Sequence, residues 1–143
     1  MNSVFKRIVK FLPVGLCTIL VTGAILWLTL APHPLPESDM PVIPGMDKVV
    51  HGCMFGGLYF ILAFDALLWR IGKKRTIRRL VTGRMAVVFA LACVAFGGGI
   101  ELAQGAMGLG RGCDFWDFVA DASGVALAVW LTPVVLKRLA FNV

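Results

Sequence analysis

Charged residues are scarce in this sequence. Only 15% of its 143 residues are charged, whereas 59% are hydrophobic, and the mean hydropathy is +0.86. Soluble globular domains carry charge at about 25% of their positions, so this composition excludes an ordinary water-soluble protein. The length leaves room for one domain, without a long linker, an internal repeat or a low-complexity segment. We therefore expect a single membrane domain that covers residues 1–143.

Several chemistry-bearing motifs are also missing. The four cysteines show no C-x-x-C or other ligand spacing, which argues against a structural disulfide or a cysteine-based zinc site. No G-x-S-x-G motif supplies a serine nucleophile. These absences favour a binding protein over an enzyme, although they leave the question of catalysis open.

Four apolar runs are present, each close to the roughly 20 residues that a helix needs to cross a hydrocarbon core of about 30 Å. They cover approximately residues 11–31, 49–69, 85–105 and 115–136. The first run exceeds the roughly 7–15 apolar residues of a signal peptide, so a retained helix is expected. Asp65, near the end of the second run, is expected to pair with Arg70. The sequence predicts an all-α, four-helix transmembrane bundle.

Basic residues are unevenly distributed between the connections. Twelve of the 14 lie before the first run, between the second and third, or after the fourth; Lys48 and Arg111 are the exceptions. The positive-inside rule therefore places both termini and loop 70–84 in the cytoplasm, with loops 32–48 and 106–114 outside. This distribution accounts for the net charge of +6 without a nucleic-acid partner.

Polar side chains lie at the outward-facing ends of three runs. They form D-K-x-x-H at Asp47–His51, E-x-x-Q at Glu101–Gln104 and R-x-x-D-x-x-D-x-x-x-D at Arg111–Asp121. The last three acids, at positions i, i+3 and i+7, share one helix face. A charge inside the bilayer costs at least about 2.5 kcal/mol, so these groups should face one another rather than lipid. We predict one ligand pocket, lined by Asp47, Lys48, His51, Glu101, Gln104, Arg111, Asp114, Asp117 and Asp121.

The charges of this predicted pocket do not balance. Five carboxylates face only two permanent cations, Lys48 and Arg111, with His51 titratable. Protonation, a bound cation, a cationic ligand group or water must compensate for the surplus. Arg111 is expected to pair with Asp114 or Glu101, because it is the only arginine at the depth of this pocket in the membrane. The alternative to a functional pocket is an ion-pair network that only orients the helices.

Glycines are placed where close helix packing would bring these groups together. Gly52 and Gly56 form a G-x-x-x-G in the second apolar run, and Gly97 and Gly98 precede Glu101 in the third run. Small residues let membrane helices approach closely. We predict a packing role for these four and for Gly124.

The three polar motifs, the last of which continues as R-x-x-D-x-x-D-x-x-A-D-x-x-G at Arg111–Gly124, resemble in this order those of the VanZ-like family of small bacterial membrane proteins. The match extends from about residue 44 to 125 and covers the last three runs. Members often carry Asn where this chain has Asp121, which adds a negative charge here. The resemblance implies a multi-pass protein of the bacterial cytoplasmic (inner) membrane. Some members are linked to resistance against lipid-tailed glycopeptide antibiotics, but the resemblance supplies no reaction.

The favoured function is recognition of an amphipathic envelope ligand. The pocket would bind a lipid headgroup, a lipoglycopeptide antibiotic or a lipid-linked envelope precursor, and so change antibiotic susceptibility or envelope properties. Lys48 and Arg111 would meet anionic groups of the ligand, and the carboxylates would meet cationic ones. Membrane lipids are the expected partners.

Two other functions stay open. In a membrane hydrolase or transferase acting on a lipid-linked substrate, the catalytic candidates are His51, Glu101 and Asp117. The histidine would act as general base or ligand, and the carboxylates would orient it or hold a divalent cation. No metal site is assigned on one histidine and scattered carboxylates, and the cofactor is unknown. An ion- or proton-coupled transporter is the third alternative, in which four helices would need to form a homo-oligomer.

Overall fold

The computed structural model describes residues 12–31, 44–72, 83–108 and 113–141. Within these ranges the chain forms four helices and no strand: α1 (Leu16–Leu30), α2 (Met46–Gly72), α3 (Arg84–Met107) and α4 (Phe115–Phe141). The all-α prediction and the order of four helices are confirmed. Residue 11, the predicted start of the first helix, and Arg111 lie outside the described residues.

Three of the helices are long and apolar enough to cross a membrane. These segments are Met46–Arg70, Arg84–Met107 and Phe115–Arg138. α1 is more apolar than the other three helices but has only 15 residues, a length of about 22 Å. The chain therefore has the character of a multi-pass membrane protein, whereas a span by α1 and the orientation of the termini stay predictions.

The end of α3 and the start of α4 show why the chain turns between these two helices. α3 stops at Gly108, whose left-handed φ of 60° is the conformation that commonly terminates a helix and that glycine adopts without strain. α4 begins after Asp114, whose Oδ1 accepts a 2.8 Å hydrogen bond from the backbone N–H of Trp116. Asp114 is therefore the N-cap of α4.

α2 is the central helix, and it packs most extensively against α4. The two run parallel: Lys48 contacts Asp117 near their first residues, and Leu67 packs with Leu136 near their last. α1 and α3 pack against α2 and against each other. We call the end at which α2 and α4 begin, and α1 and α3 end, the acidic end.

An apolar core lies between the four helices beneath the acidic end. Its buried members include Phe55 and Tyr59 of α2, Cys93 of α3 and Val125 of α4. Large apolar side chains also cover the outer surface, such as Trp130, whose exposed fraction is 72%. Helices that are apolar on all sides are typical of a protein whose outer surface meets lipid.

Hydrogen bonds fix α1 at both of its ends. Near its start, the backbone N–H and the hydroxyl of Thr18 both donate to Oδ2 of the buried Asp65, at 3.0 and 2.7 Å. Near its end, the buried Gln104 amide donates to the carbonyl oxygen of Thr29 at 2.9 Å. The pairing of Asp65 with Arg70 stays a prediction, and the hydrogen bonds from α1 are an addition that the sequence pattern does not encode.

Candidate functional site

Lys48 joins the first turns of α2 and α4 at the acidic end. Its Nζ lies 2.9 Å from Asp47, 3.1 Å from Asp114 and 2.8 Å from Asp117. An ammonium group has three N–H donors, so these carboxylates occupy all of them. Lys48 thus links α2 to α4 at the entrance of the site, and its positive charge is already paired with these acids.

Asp114 has two functions in this arrangement. Its side chain caps α4 and pairs with Lys48, and its own backbone N–H donates to Oε2 of Glu101 at 2.9 Å. The hydrogen bond from Trp116 and, next, the Lys48 ammonium hold the pKa of Asp114 below its usual value. Asp114 is consequently an ionised group at neutral pH, and it connects α3 to α4.

His51 lies one helical turn deeper than Lys48, between two carboxylates of α4. Its Nδ1 is 3.0 Å from Oδ1 of Asp121, and its Nε2 is 3.9 Å from Oδ2 of Asp117. The exposed fraction of the side chain is 13% for His51 and 1% for Asp121. Both ring nitrogens therefore have an acidic neighbour in a region largely shielded from solvent.

Two carboxylate oxygens in this region lack a hydrogen-bond partner within the described part of the chain. They are Oε1 of Glu101 and Oδ2 of Asp121, both buried. Buried polar atoms are normally satisfied, so each such atom calls for an explanation. One potential ligand atom from each of His51, Glu101 and Asp121 lies within 4.8 Å of the other two. These three residues form the buried part of the site.

Small residues make this approach of α4 to α2 and α3 sterically feasible. A Cβ atom at Gly97 would lie 2.8 Å from Oδ2 of Asp121, and one at Gly56 would lie 2.9 Å from the carbonyl oxygen of Gly124. A Cβ at Gly124 would overlap the carbonyl oxygen of Gly52. At Gly98, a Cβ would lie 3.3 Å from the ring of Phe118. Each of the five glycines assigned to packing thus lies at a helix contact.

The structure brings most of the predicted pocket residues together. Asp47, Lys48, His51, Glu101, Asp114, Asp117 and Asp121 form one continuous group at the acidic end. Gln104 differs, because its observed hydrogen bond leads to α1. Arg111 lies outside the described residues, so its predicted pairing with Asp114 or Glu101 stays a prediction.

A long groove between α2 and α4 begins beside Lys48. Its volume is about 690 Å³, within the range of pockets that enclose a small-molecule ligand. The lining is apolar apart from a few hydroxyl, thiol and ammonium groups, and it comprises Lys48, Val49, Gly52, Cys53, Gly56, Gly57, Phe60, Ala120, Ser123, Gly124, Leu127, Ala128, Leu131, Thr132 and Val135. Sequence reasoning missed this groove. The one available signal was Gly57, which extends the small-residue surface of the G-x-x-x-G by one position.

Comparison with protein-family models, with curated proteins and with solved structures finds no match for this chain.

Proposed function

We propose that this chain is a bacterial inner-membrane protein that binds an amphipathic envelope ligand along the α2–α4 groove. The observation that carries the proposal is the distribution of polar and apolar groups along that groove. It is apolar over most of its length, and one end lies beside Lys48 at the acidic end of the bundle. An apolar tail would lie along the groove, and a polar head group would lie at the acidic end. This division matches the two parts of an amphipathic molecule.

The length of the groove suits one acyl chain. On α2 its lining extends from Lys48 to Phe60, about 18 Å of helix, and on α4 from Ala120 to Val135, about 22 Å. One leaflet contributes about 15 Å of hydrocarbon, half of the bilayer core. A tail that enters at the acidic end can therefore be accommodated along its whole length. With the positive-inside orientation, this tail would come from the outer leaflet.

The charge of the acidic end favours a head group that carries an amine. Within the described residues, this end has five carboxylates against Lys48 and His51, and the N–H donors of Lys48 already have partners. Asp47 and Asp114 are the most accessible acids, with side-chain exposures of 59% and 42%. An ammonium group can bind them with charge-assisted hydrogen bonds, whereas a phosphate alone would be repelled.

The motif resemblance to the VanZ-like proteins supports an envelope source for this ligand. An ethanolamine phospholipid and a lipid-tailed glycopeptide antibiotic both join an apolar tail to an amine. Binding of either would link this protein to envelope properties or to antibiotic susceptibility.

Gly57→Leu tests the groove directly. A Cβ at Gly57 meets no atom within 4 Å, so leucine can extend into the groove without a clash against the protein. Native mass spectrometry of the protein from mixed micelles should show preferential retention of phosphatidylethanolamine over phosphatidylglycerol. Because a leucine occupies the space of the tail, Gly57→Leu should lower the bound fraction at least about fivefold.

Gly99→Leu is the matched control. Gly99 also has no neighbour within 4 Å of an added Cβ, but it lies on α3 and does not line the groove. It should retain lipid like the wild type. Equal retention by both variants, or a preference for phosphatidylglycerol, would contradict the proposal. Loss of a dimer in Gly57→Leu, measured by sedimentation, would identify a second copy of the chain as the occupant instead.

A second experiment, on antibiotic susceptibility, distinguishes a phospholipid ligand from a lipid-tailed glycopeptide. Cells that express the wild-type chain should change in susceptibility to a lipid-tailed glycopeptide but not to the same compound without its tail. Gly57→Leu should abolish the change. If retention of phosphatidylethanolamine depends on Gly57 and susceptibility does not change, the ligand is a phospholipid.

A further inference from the structure

We propose that His51, Glu101 and Asp121 form a binding site for one divalent transition-metal ion, with Zn²⁺ as the best match. These residues come from three different helices, and one ligand atom from each lies within 4.8 Å of the others. The site is separate from the groove, whose lining does not include them. It therefore adds a cofactor to the proposed function without depending on it.

Unsatisfied buried oxygens are the independent observation that indicates a cation. Glu101 and Asp121 have exposed fractions of 3% and 1%, and in each carboxylate one oxygen has no hydrogen-bond partner among the described residues. Removing such an oxygen from water without a partner is unfavourable, and a metal ion between the carboxylates would compensate for that loss. The ion pairs around Lys48 and His51 thus leave the two most buried acids of this end with one oxygen each available for a cation.

The donor set indicates which metal fits. One imidazole nitrogen with two carboxylate oxygens suits Zn²⁺ and related transition metals, whereas Mg²⁺ and Ca²⁺ prefer oxygen ligands alone. Zn–N and Zn–O bonds of about 2.0–2.2 Å place neighbouring ligands of a tetrahedral ion about 3.3 Å apart. The three atoms would therefore draw together by at most about 1.5 Å, a change that side-chain rotations can supply. Three protein ligands leave the fourth position open for water or a ligand atom.

The neighbours of these residues are arranged as metal ligands require. Either nitrogen of His51 can bind the ion. If Nδ1 binds it, Nε2 faces the carboxylate of Asp117; if Nε2 binds it, Nδ1 faces the carboxylate of Asp121. Glu101 is held by the backbone N–H of Asp114 through Oε2, which leaves Oε1 available. Such outer partners fix the orientation of metal ligands and raise metal affinity.

Metal titration of the full-length protein in detergent tests this proposal. After removal of metal with a chelator, the wild type should bind one equivalent of Zn²⁺, measured by calorimetry and by elemental analysis after gel filtration. An excess of Mg²⁺ should not displace it. Glu101→Gln and Asp121→Asn each remove one anionic ligand with little change of shape, and each should weaken Zn²⁺ binding at least about tenfold.

Asp65→Asn is the matched control, since it makes the same change in a buried carboxyl at the opposite end of the bundle. The amide oxygen of asparagine can still accept the hydrogen bonds from Thr18, so Zn²⁺ affinity should stay that of the wild type. Co²⁺ added to the wild-type protein should give the visible spectrum of a four-coordinate site, which keeps the test valid even if a variant does not fold. A wild type without stoichiometric Zn²⁺ or the Co²⁺ spectrum, or folded Glu101→Gln and Asp121→Asn variants with unchanged affinity, would overturn the proposal.

Discussion

Single side chains at the acidic end each connect more than one helix. Lys48 of α2 pairs with two acids at the start of α4, and Asp114 joins α4 to Glu101 of α3. An ion pair on a protein surface contributes little, but a network with several partners fixes side-chain positions more strongly. Three helices therefore meet at a defined geometry around His51.

Substitution of Asp114 separates its two side-chain functions. Asparagine is as good an N-cap as aspartate, so Asp114→Asn should keep the hydrogen bond from Trp116 while losing the charge that pairs with Lys48. Asp114→Ala should lose both. Melting temperatures in detergent should therefore decrease from the wild type to Asp114→Asn and further to Asp114→Ala. Equal melting temperatures for the two variants would show that the cap contributes nothing.

The pH dependence of this comparison has a defined sign. The pKa of Asp114 is lower in the folded protein than in the unfolded chain, because the ionised form is hydrogen-bonded and paired. Its charge therefore stabilises the fold above the unfolded-state pKa of about 3.9, and the contribution is lost as the pH falls through the lower folded-state value. The difference in melting temperature between wild type and Asp114→Asn should be constant near neutral pH and disappear at strongly acidic pH. A difference that persists there would exclude a charge effect.

Among the helical elements, α2 and α4 make the closest contact, and glycine makes it possible. At the crossing point, backbone atoms of one helix occupy the space where a side chain of the other would lie. Close backbone approach increases van der Waals contact, which is the main attraction between helices in lipid. Just beyond the crossing, Gly57 faces the open groove, so packing and ligand space lie side by side on α2.

Gly124→Ala should disrupt this crossing. The added methyl group would overlap the carbonyl oxygen of Gly52, which is backbone and cannot rotate away. We expect a loss of about 1–3 kcal/mol in the free energy of unfolding, as for other overpacked contacts. Gly99→Ala, which adds a methyl group in open space, should be neutral or stabilising by up to about 1 kcal/mol. Denaturant titration in mixed micelles would measure both values; equal stabilities would show that the helices can separate at no cost.

At the scale of the whole molecule, orientation in the membrane decides which side the acidic end can serve. The uneven distribution of basic residues predicts that this end faces outward and that α1 crosses the membrane. A ligand that arrives from the outer leaflet requires the first of these properties, since the groove lies between α2 and α4 and begins at the acidic end.

Cysteine labelling in intact cells tests this topology. In a variant without the four native cysteines, Ser38→Cys should react with a membrane-impermeant maleimide. Ser3→Cys and Thr76→Cys should react only after permeabilisation, because positive-inside segments remain in the cytoplasm. The reverse pattern would place the acidic end in the cytoplasm. Labelling of Ser3→Cys and Ser38→Cys from the same side would show that α1 does not cross.

Composition and the length of apolar runs were sufficient to predict four helices, because a segment in lipid must satisfy its backbone hydrogen bonds internally. The same constraint predicted that acids near the helix ends would face one another. A local pattern therefore determined the element type, the approximate boundaries and most members of the site.

Only the tertiary structure decided how these groups are paired. Sequence spacing gives the face on which a side chain lies, but not which helix is its neighbour, since that depends on how all four helices pack: through glycine contacts among α2, α3 and α4, and through side-chain hydrogen bonds and apolar packing for α1. Hence Asp65 bonds Thr18 of α1, Gln104 bonds the carbonyl of Thr29, and the groove appears beside Gly57 without any polar signal. The grouping of His51 with Glu101 and Asp121 has the same origin, because three helices must converge before their ligand atoms lie within reach of one ion.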